Sequence, residues 1–258
     1  MDTAKPGLGL PSETSLETLL NRLVPGSTGQ WQGATGSEID RIEAIAGRPL
    51  PPFYRWFLSR MGRSMGPISY PTVDFSAHGV LSALTSGQMA AHPRYLLIGY
   101  EQDELMPLHY FYDLDQPIRG DALVVRMITP RDESHEQFET FREMLAWGEL
   151  WSQRIERAPQ QCAGTLRASV EVQARLEPMM RRLGFEVPIE TGSYCGLYER
   201  EDAALICTGT PNDPPVAQTV GLGGRDAVTL AQILSEVASE LTVEIKPSAW
   251  KPPLPGDG

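Results

Sequence analysis

Few side chains in this chain are spaced for chemistry. Cys162, Cys195 and Cys207 are odd in number and unpaired in sequence, which does not describe a disulfide framework. Cys195 and Cys207 fall inside apolar runs, where a thiol is expected to be a small, unreactive core residue. His78, His92, His109 and His135 share no ligand spacing such as H-x-x-x-H and no cysteine pair adjoins them, so neither a metal nor a cofactor is expected. No G-x-S-x-G elbow is present to expose a serine nucleophile. Gly221-Leu222-Gly223-Gly224-Arg225-Asp226 has the glycine content of a phosphate loop but neither its Lys-Ser/Thr nor the dinucleotide fingerprint. A strand-to-helix turn capped by Asp226 is the expected structure there. The chain is therefore expected not to be an enzyme.

The residues that do suggest a function suggest recognition. Glu101, Asp103, Glu104, Asp113 and Asp115 bring five carboxylates into a span, Tyr95 to Ile118, that contains no Lys or Arg, and Tyr100, Tyr110 and Tyr112 lie among them. Carboxylates steer and pair with a basic partner, and aromatic rings supply the buried anchors of an interface. These eight residues form the candidate partner-binding surface. The same charges would equally serve as the solvated guard of a sheet edge.

Three strands must position that surface. Tyr95 to Tyr100 is an apolar strand; after the turn Glu101 to Glu104, Leu108, Tyr110, Tyr112 and Leu114 alternate with His109, Phe111 and Asp113 from Met106 to Leu114; Asp115-Gln116-Pro117 turns into a third strand, Ala122 to Ile128. An antiparallel meander follows. Ahead of it, Leu16, Leu19, Leu20 and Leu23 make the stripe of a helix that Ser12 can cap, after about ten loose residues. Thr35 and Glu38 have capping-box spacing, Ile39, Ile42, Ile45 and Ala46 recur at helical spacing, and Gly47 ends the segment. Pro52 opens a further helix with Phe53, Phe57, Leu58 and Met61 inward, Tyr54 and Trp56 flanking, and Gly62 as the stop. Short strands are expected at 68–70 and 72–75, and a helix over 79–91 with Leu81, Leu84 and Met89 inward.

Composition narrows the class. At 258 residues and 41% hydrophobic, the chain can bury a large core and is folded. A net charge of -11, spread along the chain with no run of basic residues, argues against direct binding to nucleic acid or anionic lipid. Neither a leader nor a membrane-spanning stretch is read, so the expected compartment is the cytoplasm. All but Lys5, Lys246 and Lys251 of the 22 basic residues are arginine, a bias of GC-rich genomes that is compatible with a bacterial source.

The order of capped acidic helix, small linker, L-P-P-x-Y-x-x-F-L and glycine resembles the N-terminal signature of the SMI1/KNR4 family, or SUKH superfamily, through Glu38, Ile39, Ile42, Glu43, Leu50, Pro51, Tyr54, Phe57 and Leu58. Further along, Ile98-Gly99, Tyr112-Asp113-Leu114, Val124-Val125 and the run Phe138 to Leu145 stand where family members carry comparable motifs. Met61-Gly62-Arg63-Ser64 replaces the family's Asn-Gly-Gly turn, and Met106-Pro107-Leu108-His109 stands where its Gly-Asp pair would lie. The resemblance runs from about residue 12 to residue 152 and implies an α+β fold with helices packed on an antiparallel sheet, drawn over 12–157.

The resemblance also implies a role. Bacterial members are mostly immunity proteins that bind and neutralise a cognate polymorphic toxin, and a basic, nucleic-acid-targeting toxin would suit this chain's charge. The alternative is a regulatory interaction scaffold of the fungal type. Beyond a polar, turn-prone stretch at 158–164, a small α+β module of no assigned family is expected over 166–246. It is read as a helix marked by Val170, Ala174, Leu176, Met180 and Leu183, strands at 194–198, 203–208 and 216–222, a helix after Asp226 and a last strand at 242–245. The tail, 247–258, is expected to be extended or disordered. Oligomeric state is not legible in the sequence.

Overall fold

A computed structural model describes residues 11–211 and 213–253; the expected loose N-terminal residues and the end of the expected tail lie outside them. The fold is α+β, with two five-stranded antiparallel sheets among the described residues.

The helical layer forms as its spacing dictates. Helix α1 (Pro11–Leu23) begins one residue before Ser12 and buries Leu16, Leu19 and Leu20. At the start of α2 (Gly36–Ala46), Thr35 Oγ1 accepts the Glu38 N–H at 3.3 Å and the Glu38 carboxylate accepts the Thr35 N–H at 2.7 Å, a complete capping box. Gly47 leaves the helix at φ +67°, a left-handed conformation that a side chain disfavours. Glu43 then ties the linker to α3 (Pro52–Met61): its carboxylate accepts the Leu50 N–H at 3.0 Å and pairs with Arg55. Phe53, Phe57, Leu58 and Met61 are buried as expected, but Tyr54 is fully enclosed as well, its ring edge-on to Tyr112 at 5.3 Å.

The first sheet has the order β1-β2-β3-β4-β5, with β1 at Val73–Asp74, β2 at Tyr95–Glu101, β3 at His109–Ile118, β4 at Asp121–Met127 and β5 at His135–Phe138. The expected meander is its centre, with several corrections. Strand β3 starts at His109 rather than Met106, because Pro107 has no N–H and the Leu108 N–H turns back to Met106 O at 2.7 Å. It then runs through the expected turn at 115–117, shifting register between Asp113 and Pro117, and turns at Arg119 and Gly120, both at positive φ. Residues 68–70 are not a strand. Helix α4 is Ala77–Thr85, two residues earlier than expected, because Ser76 accepts the Gly79 N–H and caps it; Met89 is buried from outside the helix. Strand β5 holds one exposed residue, His135, and three partly buried ones, and gave no apolar signal.

Thr140 caps α5 (Phe141–Leu150), which is buried almost all round, and the chain continues directly into a six-residue π-helical segment, Trp151–Glu156. The stretch 158–164, expected to be polar and turn-prone, is mostly strand: β6 (Gln160–Arg167) takes the second place in a sheet ordered β10-β6-β9-β8-β7. The others are β7 (Cys195–Arg200), β8 (Ala203–Thr208), β9 (Ala217–Gly224) and β10 (Thr242–Glu244), with α6 (Val172–Arg182) and α7 (Ala227–Val237) alongside. Val170, expected to face inward, precedes α6 and is exposed.

Strands β7 and β8 explain how the two halves join. Cys195, Leu197, Ala204 and Ile206 belong to the core of the N-terminal half, whereas Tyr198, Ala203, Leu205 and Cys207 point to the opposite face and the core under α6 and α7. Both faces are buried, so these strands read as continuous apolar runs. The start of the expected tail is also ordered: Pro247–Ala249 forms a 3-10 turn, Trp250 is buried and Lys251 pairs with Gln161 of β6.

Candidate partner-binding surface

The structure separates the eight residues chosen from the sequence. Tyr112 is wholly buried between α3 and α5, in edge contact with Tyr54 and Phe141 at 5.3 and 6.1 Å, and cannot meet a partner. Asp113 is buried too. Burial alone would push its carboxyl up, but the Arg94 fork (2.9 and 2.6 Å), the Gln116 amide (3.1 Å) and the Asp115 N–H (3.2 Å) outweigh that and hold it below the ordinary carboxylate range. Asp115 is exposed but pairs with Arg48 at 2.8 Å, and Arg48 also donates to the carbonyls of Leu114 and Pro93. Glu101 is buried beside Arg126 at 3.7 Å. Arginines from outside the local sequence therefore neutralise three of the five carboxylates, which is why the span looked purely acidic. Asp103 and Glu104 remain at the surface, and among the described residues neither pairs with an arginine.

Those two stand at the loop between β2 and β3, and the loop is built to hold its shape. Glu101 accepts the Asp103 N–H at 3.1 Å, Asp103 accepts the Leu105 N–H at 2.9 Å, and Arg126 Nε donates to Leu108 O at 3.1 Å. His109 Nδ1 accepts the Glu101 N–H at 3.0 Å and its ring stacks on Tyr100 at 4.5 Å. Burial lowers the His109 pKa, with Glu101 opposing and Arg126 assisting, so this imidazole is a neutral structural member. Arg126 completes the support with its guanidinium 4.8 Å from the Tyr110 ring centre.

The loop ends in two residues that the acidic pattern overlooked. Leu105 is 91% exposed and Met106 61% exposed, the two most exposed large apolar residues of the first half among the described residues. Met106 reads as the start of a strand; the chain reversal at Pro107 leaves it at a tip instead. Four residues after Met106, Tyr110 joins Phe138 and Trp147 along a cleft of about 430 Å³ that Thr208 and Thr219 of the second sheet also line. A rigid loop offering apolar tips preceded by carboxylates, with an aromatic cleft lined in part by the following strand, has the chemistry of an interface: anchors that desolvate and charges that orient.

The groups considered for catalysis sit elsewhere. Burial pushes the thiols of Cys162 and Cys207 up to about 12 and that of Cys195 up as well, so all three stay protonated and unreactive. Among the described residues no three His, Cys, Asp or Glu side chains gather as a metal site. The glycine run ending β9 is a strand-to-helix turn whose Asp226 accepts the Thr229 N–H at 2.7 Å.

No protein-family model, curated protein or solved structure matches the chain. No helix among the described residues is long and apolar enough to cross a membrane.

Proposed function

We propose that this chain is a non-enzymatic binding protein of the SMI1/KNR4 immunity type, acting in the cytoplasm, that neutralises a cognate basic toxin, and that the β2–β3 loop is the centre of its contact. The observation that carries the reading is the braced, exposed Leu105–Met106 tip that directly follows Asp103 and Glu104. Apolar side chains held this far from their own core lower the free energy of the molecule only when something else covers them. A loop already fixed by three hydrogen bonds loses little conformational entropy on binding. The net charge of -11 supports a basic partner by raising the rate of encounter.

The test is co-expression with the product of the neighbouring reading frame, scoring survival and co-purification. Survival with a stable complex is the expected result; neither rescue nor complex favours the regulatory-scaffold reading. Within the complex, Glu104→Lys is expected to slow association by about 3-fold at low salt and to flatten its salt dependence, with unfolding unchanged because among the described residues the Glu104 side chain makes no hydrogen bond or ion pair, whereas Asp103 is left in place because it braces the loop. Reversal of Glu101, Asp113 or Asp115 is uninformative for binding, since each would break an internal ion pair.

A further inference from the structure

The sequence contains no run of basic residues, yet the fold gathers four arginines around one cavity. Arg154, Arg157, Arg200 and Arg225 line a space of about 700 Å³ at the junction of the two halves, with Glu201 and Asp202 as its only carboxylates among the described residues. In a chain of net charge -11 this is a local reversal of sign.

The π-helical segment forms one wall of the cavity, through Gln153 and Arg154. A π-turn is wider than an α-turn, is rare, and recurs at functional sites. Here it lies directly on the glycines of β9: a Cβ at Gly221 would come within 2.5 Å of the Trp151 ring, and one at Gly223 within 2.5 Å of Arg154 O and 2.8 Å of Ile155 Cα. The glycine run that imitates a phosphate loop is thus the bed for this segment, and the segment presents Arg154, with Arg157 just after it, to the cavity.

Hydrogen bonding separates structural arginines from available ones. Arg200 is fully committed, to Asp202 at 2.6 and 3.2 Å and to Leu183 O at 2.7 Å. Arg154 gives Nη2 to the carbonyls of Arg200 and Glu201 and Nε to the Glu199 carboxylate at 3.4 Å. Arg157 spends only Nη1, on Gln153, and Arg225 spends only Nε, on Asp226. Among the described residues, therefore, Arg157 Nε and Nη2 and Arg225 Nη1 and Nη2 have no hydrogen-bond acceptor within the protein, although the Arg157 charge is close enough to favour the ionised form of Glu149.

We propose that this cavity binds a phosphorylated small molecule, its phosphate held by the forks of Arg157 and Arg225 with Arg154 behind them. Two separate planar forks need an anion with at least three acceptor oxygens, which a phosphate group has and a single carboxylate lacks. The volume exceeds what a bare phosphate fills and lies within the range of small-molecule sites. Asp202 is neutralised by Arg200, which leaves Glu201 as the carboxylate able to accept a ligand hydroxyl. The site is independent of the β2–β3 loop and of any toxin.

The test uses the full chain titrated with inorganic pyrophosphate and with adenosine 5′-monophosphate, followed by calorimetry and by the shift in unfolding temperature. Sodium chloride at equal ionic strength and citrate are the controls. Saturable binding of a phosphate compound is expected, weakened at least about 10-fold in Arg157→Ala/Arg225→Ala. That variant should unfold at the wild-type temperature, because both side chains are exposed and each makes one side-chain bond. Absence of saturable binding, equal binding by the variant, or a response matched by chloride or citrate overturns the proposal.

Discussion

Leu105→Asp/Met106→Asp is expected to leave the unfolding temperature within a few degrees of wild type and to weaken the partner complex by about 100-fold or more, mainly through faster dissociation. The asymmetry follows from exposure. At 91% and 61% exposure these side chains contribute almost nothing to the protein's own core, so charging them costs the free protein little. Covered by a partner, they become the desolvated centre of the contact, where losing one or two anchors costs about 2 kcal/mol or more. The loop geometry survives the change because its hydrogen bonds run through Glu101, Asp103 and Arg126 rather than through the tip side chains. Equilibrium and kinetic binding measurements beside thermal unfolding check both halves of this expectation. A variant that binds normally removes the tip from the interface.

The second large effect concerns pH. Glu143 is completely buried at the start of α5, where it accepts from Arg119 at 2.5 Å and from the Gly192 N–H of the second half at 2.8 Å. Burial pushes its carboxyl up to about 7; Arg119 opposes this, Glu139 reinforces it, and the Gly192 N–H opposes it again. Asp121, at the head of β4, is also buried and is pushed up to about 6 despite the Tyr112 hydroxyl and the N–H groups of Arg142 and Ala122. Both groups bind a proton more tightly folded than unfolded. Their stabilisation is therefore complete below the ordinary carboxyl range and is lost as pH rises through about 6 and then about 7. Asp113, with its lowered pKa, acts oppositely: its contribution is present above its unfolded pKa and is lost in acid. Stability should thus peak at mildly acidic pH and fall by a few kcal/mol towards pH 8. Urea unfolding from pH 5 to 8 measures the fall. Glu143→Gln should flatten roughly half of it, because Gln keeps the acceptor for Gly192 but cannot ionise. Parallel curves for the two proteins would contradict this assignment.

What the sequence disclosed depended on the range of the interaction. Thr35, Glu38 and Gly47 act within one helix, and their roles are readable because capping is local. The strands holding Tyr95–Glu101 and Ala203–Thr208 are readable from β-rich composition alone. Strand β5 and the start of β6 were not, since polar residues such as His135, Glu136 and Gln161 carry no apolar period, and only pairing with β4 and β9 makes them strands. The candidate surface failed for the same reason. Whether Asp113 or Asp103 faces solvent is decided by Arg94, 19 residues before Asp113 in the chain. Likewise, the cavity of arginines combines residues up to 71 positions apart, Arg154 to Arg225, and leaves no trace in any window of sequence.

Amide hydrogen exchange on the chain, alone and bound to the product of the neighbouring reading frame, tests the central claim most directly, because it locates the contact without altering a residue. Binding through the β2–β3 loop requires strong slowing of exchange at 102–108, with lesser slowing at the aromatic cleft beside Tyr110. A stable complex in which 102–108 exchanges as in the free chain, with protection confined to other elements, would contradict it.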